Sequence, residues 1–202
     1  MTFIEVLRSI SLRGAIRMWQ RNWRVFRKLF FRATAPTLVE PVIYLLELGA
    51  GLGLFIREIE GMSYIQFIAP GLLAASAMFG ASYECTFNSF VRMKYEKVYD
   101  AALATPLTIE DVVVAEMFWG ATRSFLHASI FLAVIALFGL VKSTLALLLL
   151  PILFISGLMF AVMAMIFTAI VSDISLFNYY FEILVMPLFF FSGIFFPVRV
   201  LP

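Results

Sequence analysis

The chain has 202 residues, 63% of them hydrophobic and 14% charged, with a net charge of +2 and a mean hydropathy of +1.00. A globular chain is about 45–50% apolar and about 25% charged, and a body this small could not hide the surplus, which includes 23 Phe. Those figures exclude a soluble enzyme, a secreted disulfide scaffold and a disordered linker.

The first 33 residues have no apolar h-region or small-residue cleavage site, so they are not a signal peptide. Leu12, Ile16, Trp19, Trp23, Phe26 and Phe30 recur at helical spacing on one face, and Arg13, Arg17, Arg21, Arg24 and Lys28 on another, with Arg8, Arg27 and Arg32 beside them. This predicts an amphipathic helix over 1–33, lying at the headgroups of an anionic leaflet. An anchor that sets topology and a helix that also touches a cytoplasmic partner are both compatible with it.

Spans of about 20 residues are needed to cross the hydrocarbon. They are expected at 34–56, 64–87, 114–141, 144–170 and 179–196, with a polar loop at 88–111. The chain therefore reads as an all-α integral membrane protein, with an N-terminal amphipathic helix followed by five transmembrane helices. With the N-terminus in the cytoplasm, 12 of 15 basic residues fall inside: eight before Thr34, then Arg92, Lys94, Lys97 and Arg123. Arg57, Lys142 and Arg199 fall outside, and the C-terminus of the chain is then periplasmic. The localisation expected is the cytoplasmic (inner) membrane, multi-pass.

Within the spans, Gly49 and Gly53, with Gly71 in the second span, suit close helix approach; Gly49, Gly51 and Gly53 are not a nucleotide fingerprint, because they sit inside an apolar run. Glu40 and Glu47 share a face of the first span, and Glu84, Glu116 and Glu182 fall near cytoplasmic ends. A relay is one reading. No Asp/Glu/His chain crosses the membrane, which favours acids that line a wet path or pair with Arg123 or the N-terminal arginines. Aromatic side chains crowd the first two spans and the last. Tyr44, Tyr83, Phe87, Phe189 and Phe190, with Glu47, are the candidates for lining a passage, the alternative being ordinary lipid-facing rings.

The 88–111 segment predicts a short helix from Arg92 to Ala104, stopped by Thr105-Pro106, with Thr108 capping the next helix above Glu110 and Asp111. Such a helix could press into a groove on a soluble subunit, or be a solvated connector. One Cys, Cys85, and one His, His127, exclude an intramolecular disulfide, a Cys-based metal cluster and a multi-His site. No Gly-x-x-x-x-Gly-Lys-Ser/Thr run is present, so energy must come from a partner or a gradient, and the chain itself is not an enzyme.

Several blocks resemble the type-2 ATP-binding-cassette exporter permeases, within them the branch of the nodulation lipo-oligosaccharide export permease. They are Leu38-Val39-Glu40-Pro41-Val42-Ile43-Tyr44-Leu45 with 48–53, and Tyr64-Ile65-Gln66-Phe67-Ile68-Ala69-Pro70-Gly71. Phe90-Val91-Arg92-Met93, Glu116-Met117-Phe118-Trp119 and Ser192-Gly193-Ile194-Phe195-Phe196-Pro197 with Leu201-Pro202 complete them. The last block, with Ser192, Gly193, Phe196, Pro197 and Pro202, is similar to the family hallmark at the outer end of the fifth helix.

The resemblance implies six spans, a homodimer or pseudo-dimer, and two copies of an ATP-binding subunit beneath the membrane. Residues 1–33 would be the interface helix, and 34–202 the type-2 exporter transmembrane domain. The 88–111 loop would carry the coupling helix, with Lys94, Glu96, Lys97, Asp100 and Pro106 facing the ATPase. Helices one, two and five would surround the export path. The chain would bind no cofactor, Mg-ATP belonging to the partner, and no nucleic acid; its other surroundings are membrane lipid. A family member would continue past Pro197 into a sixth span, so the resemblance implies a C-terminally truncated chain.

The function expected is a permease exporting a lipid-linked saccharide, polysaccharide or lipo-oligosaccharide. The alternatives are a drug or small-molecule efflux permease of the same type, and, outside it, a gradient-driven carrier or a lipid-processing membrane enzyme. A carrier would want an ion relay or inverted repeats, and an enzyme converging acids or a nucleophile.

Overall fold

A computed structural model describes residues 10–197 other than 57, 60 and 142, together with 199, and leaves out the side chains at 33, 35–38, 40, 41 and 50. Arg8, Glu40, Arg57, Lys142, Leu201 and Pro202 therefore fall, as sites, outside the described residues.

Helix α1 runs from Leu12 to Leu46, its first turn capped by the Ser11 side chain accepting from the Gly14 N–H. No helix end separates the expected interface helix from the expected first span. A π turn, Glu47–Gly51, and a 3-10 turn, Leu52–Leu54, follow. A two-residue hairpin comes next, β1 Glu58–Ile59 paired antiparallel with β2 Met62–Ser63, with Gly61 at φ +78° in its turn. Helix α2, Tyr64–Tyr83, continues through π turns at Glu84–Asn88 and Val91–Tyr95. Lys97, at φ 55°, breaks the run, and α3 is only Val98–Leu103. Helix α4 is Ile109–Leu137 and α5 is Leu149–Ile170 after a 3-10 turn, Thr144–Leu148. The last run comprises a 3-10 turn Ile174–Leu176, α6 Phe177–Tyr180, a π turn Phe181–Val185 and α7 Met186–Phe191.

Among the described residues, four stretches are long and apolar enough to cross a membrane: Tyr64–Tyr95, Ile109–Leu137, Thr144–Ile170 and Ile174–Phe191. Five spans are expected from the sequence. In the 34–56 region the described residues form a shorter apolar helical stretch, Val42–Leu54, and the side chains at 35–38, 40 and 41 lie outside the described residues. The expected helix from Arg92 to Ala104 also divides differently: Arg92 belongs to the α2 run, and the separate helix begins after Lys97. The last span begins and ends earlier than 179–196. Asp173 caps a helical start by accepting from the Ser175 N–H, and Gly193 at φ +85° follows the helix end.

Helix α2 is the hub, with Ile68, Leu72, Leu73, Ala77, Ala81 and Cys85 fully buried. Small residues let α2, α4 and α5 approach closely: a Cβ on Gly120 would strike Cys85 and Ala161, one on Gly157 would strike Ser124, and one on Gly80 would lie 2.5 Å from His127 Nδ1. The Cys85 carbonyl, in the π turn, accepts from Thr168 Oγ1 of α5 at 2.7 Å. The opposite side of α5 exposes Ile152, Ile155, Met159, Ile166 and Ile170, as a lipid-facing surface should.

Candidate functional site

One end of the bundle carries the start of α1, all of α3 and the start of α4, together with Lys94, Lys97 and the arginines of α1; it is called here the basic end. Helix α1 runs alongside α4 in the same direction, since Ser11 meets Asp111, Trp19 meets Thr122, and Phe26 lies under Arg123. Asp111 bridges two helix starts. Its Oδ1 accepts from the Ser11 N–H at 2.6 Å, and Oδ2 from the Thr108 N–H at 3.3 Å. The Thr108 side chain accepts in return from the Asp111 N–H, which makes the expected N-cap a complete capping box.

Above this lies a buried charge network. Glu84 accepts from Arg92 Nη1 at 2.8 Å, Trp119 Nε1 at 2.8 Å and Asn88 Nδ2 at 2.9 Å, and pairs with Arg123 Nε at 3.2 Å. Glu116 accepts from Arg92 Nη2 at 2.5 Å and Asn22 Nδ2 at 2.9 Å. Asn22 Oδ1 in turn accepts from Arg21 Nη1 at 2.9 Å. The Arg123 guanidinium sits 4.4 Å from the Phe26 ring centroid. Trp19, Trp23, Phe26 and Trp119 pack against one another edge to face and stacked. Glu84 and Glu116 are thus acids paired with arginines rather than relay stations. They tie α1, α2 and α4 into one joint. A buried charge stranded by loss of its partner costs about 3–5 kcal/mol, so the joint holds only while complete.

Of the coupling candidates, Lys94, Glu96, Lys97, Asp100 and Pro106 are all exposed on this end. Lys97 Nζ and Asp100 Oδ2 stand 3.6 Å apart with both side chains about two-thirds exposed, a weak surface pair. What holds α3 in place is on its other side. Tyr99 is buried, its hydroxyl 2.5 Å from Ser89 Oγ, within an apolar cluster of Ala15, Met18, Val112 and Ala115. Burial pushes the Tyr99 phenol well above its ordinary pKa.

Five of the six passage candidates meet in one ring network. Phe79, Tyr83 and Phe87 stack one turn apart along α2 at 6.2 and 5.9 Å, and Phe181 stacks on Tyr83 at 4.5 Å. Phe189 joins Phe79 at 5.4 Å, Tyr44 at 5.8 Å, Phe190 at 5.2 Å and Phe195 at 5.1 Å. Glu47 is exposed on the π turn after α1. Among the packing glycines, a Cβ on Gly49 would lie 2.6 Å from Ile65 Cγ1 and one on Gly71 2.9 Å from Ile194 Cγ2, whereas Gly53 faces open space.

At the far end, Ser192 and Gly193 turn the chain after α7 and bury Ile194 against Gly71. Tyr64 Oη donates to the Phe195 carbonyl at 3.4 Å, while Phe196 and Pro197 are half-buried. The sequence alone did not single out Asn22, Tyr99, Gly120 or Gly157, and Trp119 entered only within a block of family resemblance. An Arg inside an apolar run, with acids near the ends of neighbouring runs, was the available signal for the network.

The profile of the ABC-2 type transporter family matches residues 14–202. Curated relatives include Nodulation protein J of Rhizobium meliloti, 36% identical over 150 residues, which is 74% of this chain and 57% of that protein. Nodulation protein J of Rhizobium leguminosarum bv. viciae is 38% identical over 148 residues, 73% of this chain and 57% of that protein. Inner membrane transport permease YadH of Escherichia coli is 28% identical over 121 residues, 60% of this chain and 46% of that protein. The chain spans a little over half the length of the Nodulation protein J relatives it matches. No solved structure matches it. Apolar helices of membrane-crossing length, and a profile that covers all but the first 13 residues, make this chain a member of the ABC-2 type transporter family of integral membrane permeases.

Proposed function

We propose that the chain is the permease part of an ATP-driven exporter that moves a saccharide-bearing amphiphile, such as a lipo-oligosaccharide or lipid-linked polysaccharide, out across the cytoplasmic membrane. The observation that carries this reading is the similarity to proteins named Nodulation protein J, at 36–38% identity over about three quarters of the chain. The aromatic stripe Phe79, Tyr83, Phe87 adds to it, because half-exposed ring faces suit the apolar C–H faces of sugars.

In this reading the basic end is cytoplasmic, by the positive-inside rule. A separate ATP-binding subunit docks on the exposed face of α3 and the adjoining groove of about 340 Å³, lined by Arg17, Arg21, Glu96, Ala101 and Thr105. ATP-driven closure of that subunit presses on α3. Tyr99 and the Asp111 bridge pass the displacement to α1 and α4, and the charge network passes it to α2. Two permease copies complete the exporter.

The test is an affinity purification of the tagged chain from its native membranes in mild detergent. The expected result is recovery of a subunit carrying a Walker-type nucleotide motif, with ATPase activity that the double substitution Glu96→Lys, Asp100→Lys uncouples from export. Recovery of the chain without any such subunit, or full coupling in the double variant, would overturn the reading.

A further inference from the structure

Between α1, α2 and α4, above the basic end, lies a half-enclosed cleft of about 650 Å³. We propose that this cleft receives the polyhydroxylated head of a sugar-bearing amphiphile, with the apolar tail leaving past Val25 and Leu29. The proposal rests on the exporter reading for its substrate class and adds the place where that substrate is held before transport.

The charges of the cleft select against an ion. Arg21, Arg92 and Arg123 line it, opposed by Glu84 and Glu96 in the lining and by Glu116 directly behind Arg92. Three guanidinium groups against three carboxylates leave the immediate surroundings of the cleft close to charge balance, with no excess built to hold an ion. What remains within reach is a set of donors and acceptors at the cleft surface: the Asn88 amide, the Glu96 carboxylate and the Arg21 guanidinium, with Asn22 and the His127 ring buried behind them. A neutral polyol carries hydroxyl groups that donate and accept at once, and it satisfies such a mixed surface without disturbing the ion pairs.

The walls have the complementary character. Phe26, Tyr83, Phe87 and Trp119 supply ring surface, as expected of a site that takes a ligand with an apolar face and a few directed polar contacts. Val25 and Leu29 also line the cleft yet are 44% and 45% exposed, so they mark its mouth. Tyr83 and Phe87 belong to the ring stripe as well. A sugar leaving the cleft therefore meets Phe79 and then Phe189 on the way to the far end. Arg21 and Asn88 each give one hydrogen bond to a neighbour, Asn22 and Glu84, and keep further donors or acceptors for a ligand, which presents the cleft preformed rather than assembled by the ligand.

The test uses the full chain in phosphatidylcholine nanodiscs and three diazirine probes with the same decyl tail: decyl maltoside, decyl phosphate and decyl trimethylammonium. Only the maltoside probe should label peptides covering 21–29 and 80–92 in a manner that excess unlabelled decyl maltoside competes away. Val25→Trp, which fills the mouth and touches no ion pair, should lower that labelling about tenfold. Leu29→Trp reads the same mouth if Val25→Trp fails to give a monodisperse protein. Stronger competable labelling by decyl phosphate, equal labelling by all three probes, or no change in either Trp variant would overturn the proposal. The ATP-binding subunit is assayed in the wild-type preparation: its presence without cleft labelling sinks the cleft alone, and cleft labelling without the subunit sinks the exporter reading alone.

Discussion

The two ends of this bundle are held by different physics. At the basic end, α1, α2 and α4 are joined by directional bonds among Asn22, Glu84, Arg92, Glu116, Trp119 and Arg123, each at a fixed distance and angle. At the far end, Gly71 lets Ile194 approach, rings around Phe189 meet at several angles, and one hydroxyl, Tyr64, reaches a carbonyl. Lipid tails are as apolar as Leu, so burial alone does not drive helices together in a membrane. A charge network buys one geometry and resists sliding, whereas ring and small-residue contacts tolerate small displacements with little loss. In the exporter proposed above, the stiff end would be the driven one and the far end the one that changes shape.

Breaking the basic end should have the largest effect. Glu116→Leu leaves Arg92 Nη2 and Asn22 Nδ2 without their acceptor while Glu84 still holds Arg92 Nη1, and should cost about 3 kcal/mol, read as a lowered thermal-aggregation midpoint in detergent. Adding Arg92→Leu to it should recover part of the loss, because Glu84 keeps Arg123. A double variant no better than the single one would mean that the network does not act through this pair.

Between the ends, Gly120→Val drives a side chain into Cys85 and Ala161 and should cost about 1–3 kcal/mol. Gly53→Ala points into open space within the chain and should stay within about 0.5 kcal/mol. Equal effects at the two positions would refute the close-approach assignment.

Tyr99→Phe removes the bond to Ser89 and should cost about 0.5–1.5 kcal/mol at neutral pH. Because the folded phenol titrates above its unfolded value, its contribution is complete below about pH 10 and declines as the pH rises beyond it. The wild type should therefore lose stability more steeply than Tyr99→Phe in that alkaline window, by thermal midpoint at a series of pH values. Lys97→Gly should change little, for two opposing reasons. It relieves a left-handed backbone worth about 1–2 kcal/mol, but the unfolded glycine chain is looser and the exposed pair with Asp100 is lost, so the net shift should lie within about 1 kcal/mol.

Much of the fold is legible in the composition and spacing. Apolar runs mark the membrane-crossing helices from Tyr64 onward, Thr108 announces the start of α4, and aromatic positions on α2 and the last run converge as their helical spacing allows. Boundaries next to charged residues are less legible. Arg92 reads as the start of a separate short helix because a guanidinium is costly in an apolar span, yet two carboxylates neutralise it and the α2 run goes on to Tyr95. In the 34–56 stretch the described residues carry the apolar helical run Val42–Leu54, inside the bounds the sequence suggests.

The sequence by itself determined the solvent of this protein, the sidedness of its charge and the family to which it belongs, since each depends on composition or on residues close together in the chain. Only the tertiary structure decided which charges meet. Glu84 and Arg123 are 39 positions apart and Asn22 and Glu116 are 94, and no local pattern encodes such a pairing. It arises because glycines at 80, 120 and 157 bring α2, α4 and α5 close while α1 lies along α4, so a handful of polar groups share one buried corner and must satisfy one another.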